Sequence, residues 1–233
     1  MSKLGQDASP TAQEILRRWR EELGEVAGAI ATRNRVVEVA AQRVDRALKV
    51  LVDELTTDKA NVEICIQAGV AYQLPNELPF ALVADLDSFL FEARSAYELT
   101  VKFIWIFLRD LGSPKARPKS HELHTLIGAE IAARNGETAW IEDLRKNRHA
   151  LIHDTAAWPA LRVTSIETLT GELVLLTRNV TLLDDPSSYV SLHVFREIYR
   201  GFCAAFGPIE AWLSAEIDSL SVDTGSLPKS SPT

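Results

Sequence analysis

Residues 81–111, ALVADLDSFLFEARSAYELTVKFIWIFLRDL, are the most apolar part of the chain. Their apolar side chains recur at three- and four-residue spacing, which predicts one long helix. Phe91 and Phe103 add apolar surface outside the main apolar face of that helix. A helix that is apolar nearly all round belongs at the centre of a bundle. A single narrow polar stripe interrupts it, made of Asp85, Ser88, Glu92, Ser95 and Lys102.

Upstream of this helix, residues 11–75 predict N-terminal helices that form an arm or part of the bundle. Ser9-Pro10 is a helix-start signal, and Gly24 either breaks or bends the helix that follows. The segment 59–74 fits a helix or a short strand. Helical periodicity over about 26–55 predicts an amphipathic helix that buries its apolar face in the bundle or across a homodimer. That face is made of Val36, Val37, Ala40, Val44, Leu48, Leu51 and Val52.

Downstream, a turn-rich linker at 112–120 precedes two predicted helices, at about 121–134 and 138–151. Asn135-Gly136 separates these two helices. Residues 161–183 are rich in Val, Thr, Leu and Ile and predict a β-hairpin with Thr170-Gly171 in its middle. A last helix is predicted over about 187–220, with a kink at Gly207-Pro208.

These elements together predict an all-α fold, an up-and-down helical bundle over residues 76–222 with a small β-hairpin before its last helix. We expect the 138–151 helix to pack beside the 81–111 helix. Residues 1–10 are predicted to be a flexible N-terminus, and residues 223–233 a disordered tail.

Charge and cysteine content exclude several classes of protein. The chain has 233 residues and a net charge of −7, so it is not a bulk polyelectrolyte binder of nucleic acid. Cys65 and Cys203 are the only cysteines, which excludes a disulfide framework and favours a reducing, cytoplasmic location. The N-terminus lacks the apolar stretch of a signal peptide, and the apolar run 103–108 is too short to span a bilayer. We therefore expect no membrane association.

The sequence Arg145-Lys146-Asn147-Arg148-His149-Ala150-Leu151-Ile152-His153-Asp154 is the densest group of candidate functional residues. One interpretation is structural, because Lys, Arg and His complement the carbonyl end of a helix dipole in its last turn. The other interpretation is functional and uses Arg148 and His153.

Arg148-His149-Ala150-Leu151-Ile152-His153 resembles the Arg-x(4–6)-His motif of the HEPN (higher eukaryotes and prokaryotes nucleotide-binding) superfamily. In that superfamily the arginine is typically followed by Asn, Asp or His, and here it is followed by His149. The resemblance covers roughly residues 76–215. It implies a four- or five-helix bundle with the motif near the end of a late helix. It also implies a homodimer.

Many HEPN relatives are metal-independent endoribonucleases of toxin–antitoxin, abortive-infection and CRISPR-associated systems. The resemblance therefore implies that this chain cleaves RNA as a toxin or antiviral defence effector, without a cofactor or metal ion, and has an antitoxin or defence-system partner protein. Other relatives are non-catalytic and bind nucleotide, RNA or protein, which is the alternative function. Several relatives carry a tyrosine two residues after the motif histidine, where an antitoxin modifies it, but here Thr155 takes that place.

The residue types suit RNA cleavage by attack of a 2′-hydroxyl on the adjacent phosphate. His153 can transfer the proton, and Arg148 can stabilise charge on the phosphate. Five residues subtend ~140° on an ideal helix, so these two side chains need the helix to end between them or a wide cleft. A homodimer supplies two copies of each. His149 shares a face with His153 and, like Asn147, is a candidate orienting residue. Asp154 fixes an imidazole tautomer or is simply solvated.

Basic residues cluster around this motif. Residues 109–153 contain eight Lys or Arg and six Asp or Glu, a net +2, which leaves −9 for the rest of the chain. The candidate RNA-binding cations are Arg145, Lys146, Lys115, Arg117 and Lys119. The alternative is that the last three only keep a loop soluble. In the polar stripe, Glu92 or Asp85 is a candidate partner for Arg148, or a solvent-facing edge.

Competing catalytic sites have weaker patterns. His149 and His153 have the spacing of two zinc ligands on one helix, and His121-Glu122-Leu123-His124 is one residue short of the metalloprotease motif. A zinc hydrolase therefore stays an alternative. The chain has no Gly-x-Ser-x-Gly elbow and no Gly-rich phosphate loop, which disfavours a serine hydrolase and an NTPase.

Overall fold

The computed structural model describes residues 10–67, 77–116, 122–153, 158–165, 170–176 and 189–223. The predicted tail at 1–10, except Pro10, and the tail at 223–233, except Asp223, lie outside these residues. Within them the chain is mostly helical with one small antiparallel sheet, as the sequence predicts. In chain order the elements are α1 (Pro10–Thr57), α2 (Lys59–Gln67), α3 (Leu78–Asp110), α4 (Leu123–Ala132), α5 (Ala139–His153), β1 (Trp158–Ser165), β2 (Thr170–Leu176), β3 (Tyr189–Ser191), α6 (His193–Ala204) and α7 (Phe206–Asp223).

Helix α1 is continuous over 48 residues. It passes through Gly24 without a break, since helix-forming residues surround that glycine and each helical glycine costs only about 1 kcal/mol. Four residues of the predicted apolar face are buried, namely Val37, Ala40, Val44 and Leu51. Val36 and Val52, at the edges of that face, stay exposed. The ambiguous segment after α1 forms the helix α2 as far as Gln67.

Helix α3 has the buried character that its composition predicts. Leu86, Leu90, Ala93, Ile104 and Leu108 are fully buried, whereas Phe91 is about half exposed. The helix ends at Asp110 and is closed by Gly112, which has a φ of +68°. There the Ser113 N–H donates to the Leu108 carbonyl and the Gly112 N–H to the Arg109 carbonyl. These two bonds form a Schellman motif, which needs a residue that tolerates positive φ.

The same bonding pattern separates α4 from α5, at the predicted Asn135-Gly136 position. Here Asn135 takes the positive φ, 59°, and the Gly136 N–H donates to the Ile131 carbonyl at 2.9 Å. Gly136 has no positive φ, but a side chain there would be too close to α4. A Cβ at that position would lie 2.5 Å from Cγ2 of Ile131.

The predicted hairpin is confirmed in type and corrected in detail. Strands β1 and β2 pair antiparallel, and a third strand, β3, pairs with β2 in the order β1-β2-β3. Thr170 and Gly171 are not in the turn, because Thr170 pairs with Ser165 and Gly171 with Val163. Val174 and Leu175 are both buried, so the central strand β2 is covered on both faces.

The predicted last helix is two helices. It starts at His193 rather than 187, and it divides at Ala205 into α6 and α7. Pro208 lies in the first turn of α7, where its missing N–H is tolerated. A proline there cannot continue a helix from α6, so the break comes before the predicted kink.

The chain divides into two compact units. The first contains residues 1–32, 97–138 and 204–233, and the second contains residues 33–96 and 139–203. The boundary predicted between residues 75 and 76 falls outside the described residues. None of the described helices is long and apolar enough to cross a membrane.

Candidate functional site

The helix that carries the motif, α5, is fixed against α6 within the second unit. Trp140 and Leu144 are buried, and the Trp140 ring meets Phe202 edge-on, with centroids 5.8 Å apart. Gly201 of α6 lies under the indole, where a Cβ would be 2.6 Å from Cγ of Trp140. The absence of a side chain at Gly201 therefore permits the close approach that holds α5 in place.

Asn147 continues the buried stripe of α5. It is 5% exposed, and its Nδ2 donates to the main-chain carbonyl of Asp143 at 2.7 Å. The amide is thus bonded within its own helix, so its contribution to a site is to stabilise the turn before Arg148.

Arg148 lies at the edge of the same stripe, four residues after buried Leu144. Its Nε is buried, and the described residues offer that nitrogen no hydrogen-bond partner. Buried polar groups nearly always have a partner, and a buried donor left without one destabilises a fold by about 1–3 kcal/mol. Asn34 Oδ1 is the other side-chain atom in this condition among the described residues. Arg148 is therefore an anomaly in an otherwise well-bonded helix.

Four other polar residues of α5, Glu142, Arg145, Lys146 and His149, are exposed. Arg145 makes two hydrogen bonds to Glu142, from Nε at 2.9 Å and from Nη2 at 2.7 Å. These bonds, together with the charge of Arg145, lower the pKa of Glu142. The positive charge of Arg145 is thus largely offset, whereas Lys146 presents its ammonium to solvent.

Helix α5 continues through His153. The helix does not end between Arg148 and His153, so these positions are separated by ~140° around its axis. The side chain of His153, and all of Asp154, lie outside the described part of the structure. Within one chain, positions 148 and 153 therefore lie on different faces of the same helix.

The two carboxylates on α3 that the sequence offered as partners for Arg148 are paired with arginines of α1. Glu92 accepts a hydrogen bond from Arg33 of α1, and Asp85 pairs with Arg43 of α1. Both ion pairs join α3 to α1 within the second unit. Glu92 and Asp85 therefore act in helix–helix packing rather than in orienting Arg148.

Lys115 occupies a polar cluster of the first unit rather than a free surface. Its Nζ donates to Glu130 Oε1 at 2.9 Å and to Glu216 Oε1 at 2.6 Å, and it lies 5.8 Å from the centre of the Trp212 ring. Glu216, 8% exposed, also accepts bonds from Ser113 Oγ at 3.0 Å and Trp212 Nε1 at 3.1 Å. We call these five residues the Lys115 network. The two carboxylates offset the positive charge of the Lys115 ammonium, which leaves it little charge to offer to an RNA phosphate.

The electrostatics of the Lys115 network follow from these bonds. Burial acts to raise the pKa of Glu216, but the hydrogen bonds from Lys115, Ser113 and Trp212 outweigh it and the pKa is lowered. Glu130 behaves alike: burial opposes, and the bonds from Lys115 and Arg134 lower its pKa. The bonds to Glu216 and Glu130 raise the pKa of Lys115. All three groups stay ionised near neutral pH.

Two further predicted cations, Arg117 and Lys119, lie outside the described residues, as does His121. His124 Nδ1 is 3.3 Å from the hydroxyl of Tyr97. Within the described ranges, no three His, Cys, Asp or Glu side chains are grouped so that they could hold a metal ion. His121 and the side chain of His153 lie outside those ranges.

Comparison with known proteins adds no relative. No family model, no curated protein and no solved structure matches the chain. The HEPN resemblance therefore depends on the motif in α5 and on the mostly helical fold around it.

Proposed function

We propose that this protein is a metal-independent endoribonuclease of HEPN type, acting through a composite Arg148/His153 site in a homodimer, as a toxin or antiviral defence effector. The observation that carries the proposal is the buried Nε of Arg148, which has no partner among the described residues. The residue as a whole is only partly buried, so an anionic ligand that arrives from outside can meet its guanidinium and supply the acceptor that the described residues do not. A phosphodiester is such a ligand.

The local structure supports this role for Arg148. Trp140 and Gly201 fix α5, and Asn147 is bonded to its own helix, so the guanidinium is presented from a rigid element. A donor carried on a fixed element needs little reorganisation to stabilise developing charge, which is the main source of electrostatic catalysis. Arg145, only three residues away, lacks these features, because Glu142 already accepts its hydrogen bonds.

The continuity of α5 favours a site shared by two chains. Arg148 and His153 diverge by ~140° on one helix, so Arg148 of one chain pairs more readily with His153 of a second chain. The dimer contains two such pairs, and each acts alone. Its imidazole removes the proton from the 2′-hydroxyl as the new bond to phosphorus forms and returns that proton to the leaving oxygen as the old bond breaks.

The test is cleavage of RNA by the full chain in the presence of EDTA. Arg148→Ala is expected to slow cleavage by ~10²–10³, as for loss of one electrostatic donor, and His153→Ala by ~10²–10⁴. Arg145→Ala is the matched control. It and Lys146→Ala should mainly weaken binding and reduce its salt dependence.

Circular dichroism of each variant separates loss of chemistry from loss of fold. Arg148→Ala and His153→Ala variants that keep their helicity and cut RNA as fast as the parent would overturn the proposal. If both variants unfold, the residues serve the end of the helix instead.

A non-catalytic HEPN-like module that binds nucleotide, RNA or a protein is the second candidate. The carboxylates that occupy Lys115 and Arg145 favour it, because they leave little free positive charge to hold a long RNA. RNA that binds to the parent protein but is not cut would select this function.

A further inference from the structure

A large cleft lies within the second unit, away from the motif. Its volume is about 1240 Å³, and the C-terminal part of α1, α2, Phe89 of α3, strands β2 and β3, and α6 supply its lining. None of the described lining residues belongs to α5. Pockets for small ligands typically measure ~300–1,000 Å³, so this cleft accommodates a long or bulky molecule.

The walls of the cleft are mainly apolar. Most of the apolar side chains are Val or Leu, among them Val44, Leu48, Val52 and Leu173, and three aromatic rings, Phe89, Phe195 and Tyr199, complete them. The polar side chains without a formal charge are fewer, namely Gln42, Thr56, Ser191 and His193. An extended hydrocarbon chain gains free energy along the whole length of such walls.

The charged residues of the cleft are predominantly basic. Arg46, Lys49, Lys59 and Arg196 line it with only two carboxylates, Asp45 and Glu172. This excess of positive charge contrasts with a net charge of −7 for the whole chain. It favours a ligand with an anionic group at the cleft surface.

The ion pairs cancel only part of this excess. Lys59 is paired with Glu63 at 3.8 Å, but the other three cations have only Asp45 among them in the described part of the chain. Asp45 is shared between Lys49, at 3.1 Å, and Arg196, at 3.3 Å, so one carboxylate serves two cations. Arg46 donates from Nε to the main-chain carbonyl of Gln42 at 3.3 Å, and the described residues place no carboxylate against it. The guanidinium of Arg46 is therefore the best-placed cation for an anionic head group.

We propose that this cleft binds an amphipathic organic anion, specifically a long-chain monocarboxylate whose hydrocarbon chain lies along the apolar walls and whose carboxylate meets Arg46 and Lys49, which are three residues apart on α1. The inference is independent of the proposed RNA site, because the two use different residues.

The test uses the full chain, an anilinonaphthalene sulfonate dye as a fluorescent probe and dodecanoate as competitor. Dodecanoate is expected to displace the dye with a one-to-one stoichiometry. Hexanoate should compete at least about a hundredfold more weakly, because it lacks six methylene groups that would be buried. Dodecyltrimethylammonium, which has the same chain and the opposite charge, should compete more weakly than dodecanoate.

Two variants locate the site. Arg46→Glu combined with Lys49→Glu should weaken dodecanoate binding by about threefold to tenfold, the range for loss of exposed charge interactions. Arg20→Glu, an exposed change on the same helix outside the cleft, should leave binding unchanged. Val52→Trp fills the half-exposed mouth of the cleft and should reduce binding without disturbing the core; thermal melting of each variant checks the fold.

Three results would overturn the proposal. The first is that dodecanoate fails to displace the dye. The second is that Arg20→Glu weakens binding as much as the double variant does. The third is that light scattering shows a dimer whose dissociation is needed before the dye binds, since the occupant would then be a second copy of the chain.

Discussion

Lys115 and Arg148 are both partly buried cations, but their hydrogen-bond partners differ. Lys115 donates to two carboxylates, and the buried Glu216 accepts bonds from three side chains. Arg148 keeps a buried Nε for which the described residues supply no acceptor. Among the described residues, the first arrangement has all its acceptors and the second lacks one.

This difference indicates which cation to assign to stability and which to function. In a satisfied network each member leaves another unpaired if it is removed, so truncating one member destabilises the fold. An unsatisfied buried donor weakens the fold and persists where another role requires it. Variants of the two regions should therefore have opposite effects on stability.

The largest stability effect is expected for Glu216→Ala. It leaves Lys115, Ser113 and Trp212 without their shared acceptor, and removal of one member of a fully buried ion pair costs ~3–5 kcal/mol. Since Lys115 is 39% exposed, we expect a smaller loss, about 2–3 kcal/mol in the free energy of unfolding. Urea denaturation measures it, with exposed Glu210→Ala on the same helix as control. Equal losses for the two variants would contradict the role of the network.

Gly201→Ala should have a somewhat smaller effect. The new methyl group would overlap the Trp140 indole, and overpacking of this kind typically costs about 1–3 kcal/mol. Because the contact fixes the helix that carries Arg148, RNA cleavage should fall too. Gly207→Ala, which adds a Cβ in open space, should leave stability unchanged or raise it slightly. If Gly201→Ala is as stable as the parent, α5 is not held in the way described.

Acid should weaken the Lys115 network specifically. The pKa of Glu216 and of Glu130 is lowered in the folded protein from the ordinary 4.5. The stabilisation is therefore fully present above that value and is lost as the pH falls through the lower folded-state pKa. Unfolding free energies at pH 7 and pH 3 should differ more for the parent than for Glu216→Gln. The same pH dependence in both proteins would contradict the prediction.

Arg148→Met should have the smallest effect, and of opposite sign to the others. The change keeps most of the side-chain volume and removes a buried donor for which the described residues supply no acceptor. We expect a change between zero and about 1 kcal/mol of added stability. Lys115→Met, the matched change in the network, should destabilise, because two carboxylates lose their shared cation. Thermal and urea unfolding of the pair measure the contrast. A destabilised Arg148→Met protein would mean that Arg148 contributes to the fold.

The features that local sequence determines were largely predictable. The apolar spacing of residues 81–111 predicts α3, and Asn135-Gly136 marks the end of α4 because a positive φ needs such residues. The hairpin followed from its β-branched composition. Its turn was misplaced, since Thr170-Gly171 resembles a turn although the ladder includes both residues.

Features that depend on long-range contacts were not predictable. Lys115 and Glu216 are 101 residues apart, and no periodicity links them; the helical spacing of Trp212 and Glu216 was the only local signal. Strand β3 has three residues and forms by pairing with β2. In the candidate site, the motif identified Arg148, but the missing partner of its Nε required coordinates.

Mixing Arg148→Ala protein with His153→Ala protein tests the composite site most directly. If Arg148 of one chain acts with His153 of another, each mixed dimer contains one intact pair. Because random assortment gives about half mixed dimers, activity should return to about a quarter of the parent rate in EDTA. If the mixture cleaves RNA no faster than the better of the two variants alone, although the chains exchange, the site is not shared between chains and the account is wrong.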